Sequence, residues 1–352
     1  MDFDFTDEQR LLRETVERLL ADRYDFEARR RHAAEPDGWS RALWSQYAEL
    51  GLLGLPFAES EGGFGGGPVE TMIVMQAFGA SLVLEPYFAT VVLGAGLLRH
   101  AGEVALLPQV AAGTLLLAFA QQERQSRWNF YDVATTARRD DGGWRVSGEK
   151  SLVLHGDAAD KLLVTARTGG DRRDRDGIGI FLVDAGAAGV SRRAYPTQDG
   201  FRAAEIAFAG APAEAVGDPA GGAPIVARVA DEAIAALCAE AVGVMGAMHA
   251  LTVDYLKTRK QFGRAIGEFQ VLQHRAVDMY VALEQARSMA LFATMMAAEE
   301  DAAERARAMS AAKVQIGRSG RHVGQEAVQL HGGIGMTMEY AVGHYFKRMT
   351  MI

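Results

Sequence analysis

The last third of the chain contains three long, mostly apolar segments with helical spacing, joined by short loops: residues 225–258, 271–300 and 304–330. Such helices must bury their apolar faces against neighbours. Short loops favour antiparallel packing, and small residues such as Gly243 and Gly246 permit close helix approach. The pattern therefore predicts a C-terminal helical bundle domain, of the four-helix type, over residues 216–352.

The residues before this bundle divide into a helical part and a β part. Thr6 and Gln9 have the spacing of a capping box, and Gly51 ends a second helical pattern over residues 39–50. Further apolar helices are predicted over residues 69–79 and 86–100, which gives an N-terminal all-α domain at residues 1–112. The sequence between them, residues 113–215, has short β-like runs separated by turns: 114–120, 144–146, 151–154, 161–166, 178–183 and 205–208.

A helical domain, then a β domain, then a second helical domain together predict an α+β protein. Its middle domain is predicted to be a small antiparallel β-barrel or sandwich. A very polar segment at residues 171–176 alternates positive and negative charges, which favours a solvated hairpin tip. The glycine-rich stretch at residues 62–67 lacks the Gly-Lys-Ser and strand-to-helix context of a phosphate loop, so it is interpreted as a turn.

Composition excludes several classes of protein. The chain has 352 residues, 49% of them hydrophobic, and a net charge of -8, which argues against nucleic acid as the main partner. The single cysteine, Cys238, predicts neither disulfides nor a metal site, and a reduced cytoplasmic location is the default. Residues 1–4 lack a signal-peptide pattern, and no apolar run approaches 18 residues, so no membrane span is predicted.

One short stretch, RKQFG at residues 259–263, follows the first long helical pattern. Gly263 supplies the positive φ that a helix end prefers, and two cations, an amide and an aromatic ring are presented together. Basic residues in a last turn often only complement the helix dipole. The alternative is a ligand site, and it is favoured by two further stretches, Phe269 with Gln270 and QLHGGIG at residues 329–335.

Because these motifs occur together and in this order, the chain resembles the acyl-CoA dehydrogenase family of flavoproteins. The diagnostic pieces are GLLGLP at residues 51–56 with EGGFG at 61–65, then RKQFG, then Phe269-Gln270, then QLHGGIG. The resemblance extends from Phe3 to Tyr345. It implies the same helical, β and helical domain order that the residue patterns predict.

The resemblance also implies a cofactor, FAD, gripped across a subunit boundary in a dimer or, more usually, a tetramer. A pyrophosphate requires cations or amide donors, and a purine requires a flat apolar surface. Glycines let the backbone approach the phosphates closely. The implied FAD-binding residues of these segments are Arg259, Gln261, Phe262, Phe269, Gln270, Gln329, Leu330, Gly332 and Gly333.

The flavin ring is expected against the β domain. The resemblance places Gln121 and Gln122 on the first strand that lines the flavin, and Leu152 and Leu154 on the second. Members often have an aromatic residue and a threonine at the second strand, so in this chain only backbone groups can make the equivalent hydrogen bonds. The usual glycine- and serine-containing turn is replaced at residues 124–129, where Trp128 is either an acyl thioester contact or a partly buried loop aromatic.

The chemistry that the resemblance implies is α,β-desaturation of an acyl-CoA thioester. A carboxylate removes the α-proton while the flavin accepts a hydride from the β-carbon. The usual glutamate is expected beyond Ile352, and the minority position aligns with Ala233, one residue from Glu232. Glu240 is a further candidate base, with a structural, hydrogen-bonded glutamate as the alternative.

Two different kinds of function therefore stay open. The first is an active dehydrogenase of fatty acid or steroid side-chain thioesters, with electron-transfer flavoprotein as acceptor. The second is a non-catalytic or half-catalytic subunit of a heterotetramer, in which a paralogous partner supplies the base. Met349, where the family commonly has aspartate after Arg348, resembles the smaller subunits of such assemblies. A related flavoprotein oxidase or hydroxylase is a third alternative.

Overall fold

The structure is a computed structural model that describes residues 4–352, so Phe3, where the family resemblance begins, lies outside the described residues. The chain forms two compact units. Unit 1 comprises Met1–Arg31, Gly67–Val83 and Ile234–Ile352. Unit 2 comprises His32–Gly66 and Leu84–Ala233. The division into three domains at residues 112 and 215 stays a prediction.

Unit 1 is built of long helices. The helices that lie mostly or wholly in this unit are α1 (Asp7–Arg23), α2 (Phe26–Ala33), α4 (Pro68–Ser81), α7 (Ala223–Thr258), α8 (Gln270–Met296), α9 (Ala302–His331) and α10 (Ala341–Met351). The capping box predicted at Thr6 and Gln9 is confirmed, since each side chain bonds the other's backbone N–H. The three predicted bundle helices are also confirmed within a few residues at each end.

The core of unit 1 is made mainly of small and flexible apolar side chains. Cys238, Met245 and Met248 of α7 are fully buried and pack with Met279 of α8 and Ile316 of α9. Cys238 behaves as a core residue, and burial raises the pKa of its thiol to about 12. The interpretation of Cys238 as packing is therefore confirmed.

Two glycines set how closely α7 approaches α4. A Cβ added at Gly243 would lie 2.0 Å from the Gln76 carbonyl oxygen, and one at Gly79 would lie 2.1 Å from the Glu240 carbonyl oxygen. Side chains cannot occupy that space, so the two backbones touch directly. This contact fixes the position of Glu240 in the interior of unit 1.

Unit 2 combines short helices with the β domain. Its helical parts are α3 (Arg41–Glu49), a π-helical segment (Phe88–Ala95) that continues into α5 (Gly96–Ala101), and α6 (Leu107–Ala111). Gly51 ends the α3 region with φ 73°, as predicted. The predicted helix over residues 86–100 is thus partly π-helical. A Cβ added at Gly94 would lie 2.5 Å from Leu117 Cβ, so a glycine lets this segment pack closely against Leu117.

Seven strands form one sheet in unit 2, and its path closes because β4 also pairs with β5. The strands are β1 (Leu117–Ala120), β2 (Thr136–Asp140), β3 (Gly143–Leu154), β4 (Lys161–Arg167), β5 (Ile178–Asp184), β6 (Val190–Pro196) and β7 (Arg202–Val216). The pairs are antiparallel except β1–β4 and β2–β4, which are parallel. The predicted β-barrel is confirmed, with an apolar interior that includes Leu162, Phe181 and Ile206.

Several strand predictions were incomplete. The runs at residues 144–146 and 151–154 belong to one strand, β3, and the short run at 205–208 is part of the 15-residue β7. Strands β2 and β6 were missed, because TARRD and VSRRAYP are too polar and too basic to show alternation.

The charged segment at residues 171–176 is anchored as well as solvated. Arg172 and Arg173 both pair with Asp132, whose side chain is 2% exposed, at 2.8 and 2.9 Å. Arg167 donates to six backbone carbonyls of the two loops around it. These contacts join the loop after β1 to the β4–β5 connection, which sequence reading did not anticipate.

One described helix, Ala223–Thr258, has the length and composition of a membrane span. Its most apolar window has a mean hydropathy of 1.7, and 61% of that window is buried inside the protein. Burial of this kind is what the core helix of a soluble protein shows.

We expect Gly243→Ala to lower the free energy of unfolding by about 1–3 kcal/mol, because the added methyl group overpacks the contact with Gln76. Gly246→Ala is the matched control on the same helix, since the nearest atom to its Cβ lies 4.0 Å away. That variant should be neutral or gain up to about 1 kcal/mol from helix propensity. Urea unfolding of both variants measures the difference, and equal midpoints would contradict the account.

Candidate functional site

The RKQFG stretch forms a small hairpin directly after α7. Helix α7 ends at Thr258, and the two-residue strands β8 (Lys260–Gln261) and β9 (Arg264–Ala265) pair antiparallel. Phe262 and Gly263 have φ values of 54° and 82°, which is the pattern of a type I′ turn. Gly263 therefore serves the hairpin turn, and the prediction that it ends the helix was wrong.

The hairpin presents its tip to solvent. Phe262 is 90% exposed, and its left-handed backbone is strained for a non-glycine residue. Its ring meets that of Phe269 edge to face at 6.2 Å, and the guanidinium of Arg264 lies 5.0 Å from the Phe269 ring. The Ile266 N–H donates to the Arg259 carbonyl at 2.8 Å. These contacts hold an exposed aromatic ring in a defined position.

An aromatic cluster joins this end of α7 to the end of α9. The ring of His331 lies 4.6 Å from that of Tyr255 and 5.0 Å from that of Tyr340. His331 Nδ1 lies 2.8 Å from the Ala327 carbonyl, and burial lowers the pKa of the imidazole. Because Tyr255 precedes Arg259 by about one turn, the RKQFG hairpin and the QLHGG segment occupy the same end of unit 1.

Most polar groups predicted at this end are free to bind a ligand. Arg259, Gln270 and Gln329 are exposed, and none of their side chains has a hydrogen-bond or ion-pair partner among residues 4–352. Gln261 bonds only the adjacent Lys260 carbonyl. The side chain of Leu330 lies in the core, 6% exposed, so only its backbone is available to a ligand.

The glycines of the second segment leave open space. Gly332 has φ 65°, and a Cβ added at Gly332 or Gly333 would meet no atom within 4 Å. The pyrophosphate and adenine of a dinucleotide need positive charge, hydrogen-bond donors, a flat ring and accessible backbone. This end of unit 1 offers an exposed cation, two free amides, an exposed aromatic ring and open glycine backbone. We call this group of residues, 259–270 and 329–333, the unit 1 grip.

The β residues predicted near the flavin ring lie in unit 2. The Ser151 N–H donates to the Gln122 carbonyl at 2.8 Å, and Gln121 Nε2 donates to the Phe130 carbonyl at 3.4 Å. Strand β3 contains a bulge between Lys150 and Val153, and Leu152 has φ 50° there. Gln121, Gln122 and Leu152 therefore meet where β1 ends against β3.

A buried ion pair supports this part of the barrel. Lys150 Nζ donates to Glu123 Oε1 at 2.8 Å and to Thr165 Oγ1 at 3.0 Å. Burial lowers the pKa of Lys150 to about 8, against the opposing charge of Glu123. Burial also opposes ionisation of Glu123, but the Lys150 charge and the hydrogen bonds lower its pKa to about 2. The pair was missed in the sequence because its members are 27 residues apart.

Trp128 lies on the loop after β1 and is 94% exposed. The preceding residue, Arg127, has φ 48°. The interpretation of Trp128 as a partly buried aromatic is wrong, because no described side chain covers the ring. Its predicted role at the acyl thioester stays a prediction.

Glu240 lies inside unit 1 with both carboxylate oxygens engaged. Arg348 Nε donates to Oε1 at 2.6 Å and its terminal nitrogen donates to Oε2 at 2.7 Å. Glu240 and Arg348 are 4% and 8% exposed. A bidentate partner of this kind satisfies the buried charge, so the geometry favours the structural alternative for Glu240.

Glu232 is engaged in a second cluster, within unit 2. Its carboxylate accepts from Arg99 at 2.9 Å and from Arg228 at 3.0 Å, and it lies 2.9 Å from His100 Nε2. Burial raises the pKa of Glu232, but His100 and the two arginines together hold it below its ordinary value. A carboxylate held ionised by three partners is a poor proton acceptor.

The succession of a helical region, a β-barrel and a helical bundle defines the class of fold, and three family models match it along the chain. They are the acyl-CoA dehydrogenase N-terminal domain at residues 6–128, the middle domain at 118–209 and the C-terminal domain at 221–352. The chain belongs to the acyl-CoA dehydrogenase family, whose members are flavin-dependent oxidoreductases acting on CH–CH bonds.

Similar proteins cover nearly the whole chain. Acyl-CoA dehydrogenase IpdE2 of Mycobacterium tuberculosis (strain ATCC 25618 / H37Rv) is 30% identical over 97% of this chain and 91% of its own length. A structure of the Tcur3481-Tcur3483 steroid ACAD superposes with a TM-score of 0.87 at 30% identity, covering 98% and 92% of the two chains. The ChsE4-ChsE5 complex from Mycobacterium tuberculosis gives 0.86 at 27% identity, covering 99% and 93%.

We expect Arg348→Met to destabilise the protein by about 3–5 kcal/mol, because it leaves the buried Glu240 carboxylate without its bidentate partner. The double variant Glu240→Leu with Arg348→Met should recover most of that loss. Denaturant unfolding of the single and double variants measures the coupling. A double variant as unstable as the single one would show that the pair is not the source of the effect.

We expect acid to destabilise the protein through Glu123. Its pKa is depressed in the folded state, so its stabilisation is present above about pH 4.5 and is lost as pH falls toward 2. The full loss is about 3 kcal/mol, from 2.5 pKa units at 1.36 kcal/mol each. Unfolding free energies between pH 6 and 3.5 should fall less steeply in Glu123→Gln. Glu149→Gln, an exposed neighbour on β3, should keep the wild-type slope.

Proposed function

We propose that this chain binds FAD in an acyl-CoA dehydrogenase that desaturates the α,β bond of a thioester, either alone or with a paralogous partner. The unit 1 grip carries the proposal, because Arg259, Phe262 and Gln270 stay exposed. The side chains of Arg259 and Gln270 have no hydrogen-bond or ion-pair partner among residues 4–352. Arg259 would pair with the pyrophosphate, and Phe262 would lie against the adenine. Gly332 and Gly333 would admit the phosphates close to the backbone.

The chemistry divides between cofactor and protein. Bound FAD supplies a hydride acceptor for the β-carbon, and a carboxylate base must remove the α-proton. The chain's own contribution, on this proposal, is to hold the dinucleotide. The substrate is proposed to be a fatty acid or steroid side-chain thioester, with electron-transfer flavoprotein as the acceptor in the cytoplasm.

A second candidate is a subunit that works only with a paralogous partner. Glu232 and Glu240, the carboxylates considered as bases, are both engaged by arginines. This supports a base supplied by a partner chain. Some relatives also carry names that join two proteins, such as the ChsE4-ChsE5 complex.

A surface suited to self-association or to a paralogue lies on α8 and α9. Five apolar side chains on these antiparallel helices are 39–57% exposed: Val277, Val281, Phe292, Met295 and Val314. Exposed apolar side chains grouped on two helices are typical of a subunit interface. We therefore propose that the protein is an oligomer, either of this chain alone or with a paralogue.

We expect Arg259→Ala to weaken FAD binding about 10- to 100-fold, because it removes a charged hydrogen-bond donor worth about 1.5–3 kcal/mol. Lys257→Ala is the matched control, since it removes an exposed cation from the last turn of α7, outside the unit 1 grip. The measurement is the FAD retained after gel filtration, read by flavin absorbance. Equal losses in both variants would mean that general positive charge, and not the Arg259 contact, holds the cofactor.

The reaction itself is tested by anaerobic reduction of the flavin. The FAD-loaded protein, alone or co-expressed with a paralogue, is mixed with acyl-CoA thioesters of short, long and steroid acyl groups. Loss of the oxidised flavin absorbance with at least one thioester is expected. A flavin that stays oxidised with every thioester and in every assembly would contradict the dehydrogenase proposal.

A further inference from the structure

The segment from the end of α7 to the start of α8 carries an excess of positive charge. Residues 255–269 contain one carboxylate, Glu268, in a chain whose net charge is -8. They also contain four cations, all of them exposed: Lys257, Arg259, Lys260 and Arg264. None of these four side chains has an ion-pair or hydrogen-bond partner among residues 4–352. A group of unpaired cations in an acidic protein indicates an anionic ligand.

Arg264 is held in a defined place although its side chain is exposed. Its guanidinium lies over the Phe269 ring, 5.0 Å from the ring centre. Phe269 is itself anchored at the start of α8, because its carbonyl accepts from the Leu272 and Gln273 N–H groups at 2.9 and 3.2 Å. A planar guanidinium that lies over an anchored ring keeps the N–H groups at its edge free to donate.

Arg264 shares one face of the hairpin with Gln261. The two residues pair directly across strands β8 and β9, and directly paired residues of antiparallel strands lie on the same face. The hairpin also contacts the backbone of Arg259, whose carbonyl accepts from the Ile266 N–H at 2.8 Å. Arg264 therefore belongs with Arg259 and Gln261, the residues proposed to bind the nucleotide end of FAD.

Helix stability does not explain a cation at this position. The ring under Arg264 belongs to Phe269, the N-cap residue of α8, and positive charge near a helix N-terminus opposes the helix dipole. The neighbouring carboxylate of Glu268 accepts from the Ala265 N–H at 3.2 Å and forms no ion pair with Arg264. An anionic ligand is therefore the better explanation for Arg264.

We infer that Arg264 is a second phosphate-binding residue of the unit 1 grip, and that the grip selects ligands with two linked phosphates. This rests on the proposed FAD function. The pyrophosphate of FAD has one negative charge on each phosphate, and a guanidinium can bind the oxygens of one phosphate with two parallel hydrogen bonds. Arg259 and Arg264 together would supply one guanidinium for each phosphate.

The first test measures FAD binding to the full-length protein by flavin fluorescence anisotropy, at low and at high salt. Arg264→Ala should weaken binding about 10- to 100-fold at low salt, because a charged hydrogen-bond donor is lost. The dependence of binding on salt should also become shallower. Lys257→Ala, which removes a positive charge outside the unit 1 grip, should weaken binding by less than about threefold. Equal losses in the two variants would overturn the inference.

A second test asks whether the grip selects two linked phosphates. ADP and AMP are used to displace FAD from the wild-type protein. We expect ADP to displace FAD at a concentration about tenfold or more below that of AMP, since only ADP can engage both guanidinium groups. AMP that displaces FAD as effectively as ADP would overturn the inference.

A purely structural role for Arg264, acting through Phe269 on Phe262, gives a different result. In that case the double variant of Arg264→Ala with Phe262→Ala would bind FAD no more weakly than Phe262→Ala alone, and the inference would be overturned. A direct phosphate contact predicts that the two losses multiply, within about twofold.

The outcomes also separate this inference from the proposed function. If Arg259→Ala weakens FAD binding and Arg264→Ala leaves it unchanged, the inference is overturned and the proposed function stands. If neither FAD nor ADP binds the wild-type protein, the proposed function fails, and the inference fails with it.

Discussion

The backbone contact between α7 and α4 is the constraint on which the rest of unit 1 depends. Because Gly79 and Gly243 let the two helices touch, the side chain of Glu240 is carried into a core that water does not reach. An ionised carboxylate in that position needs a partner, and Arg348 of α10 supplies two hydrogen bonds. The close contact between α7 and α4 therefore determines where the last helix, α10, packs. It also explains why a single acidic residue, Glu240, occurs in an apolar segment.

Local patterns were enough to predict most of the elements. The bundle helices and the capping box at Thr6 follow from the spacing of residues that lie close together in the sequence. Strands β2 and β6 were missed, because both are rich in polar and basic residues and neither alternates clearly, although each pairs with the next strand along the chain. The turn at Phe262 was misassigned for a related reason, since a positive φ at Gly263 serves a helix end and a hairpin equally well.

The candidate site was predictable only in part. The motif residues Arg259, Gln270 and Gln329 could be selected from the sequence, and the structure leaves them exposed at one end of unit 1. The partner of Glu240 could not be predicted, because Arg348 lies 108 residues further along the chain. A carboxylate in an apolar segment indicates that a partner exists, and it does not indicate which residue that is.

Family membership establishes the kind of chemistry, and the unit 1 grip is open to the nucleotide end of FAD. The most direct test is an experimental structure of the FAD-loaded protein, alone or with a paralogue. The account predicts the nucleotide end against Arg259 and Phe262 of the unit 1 grip. A nucleotide end bound elsewhere, with Arg259 left in solvent, would contradict it.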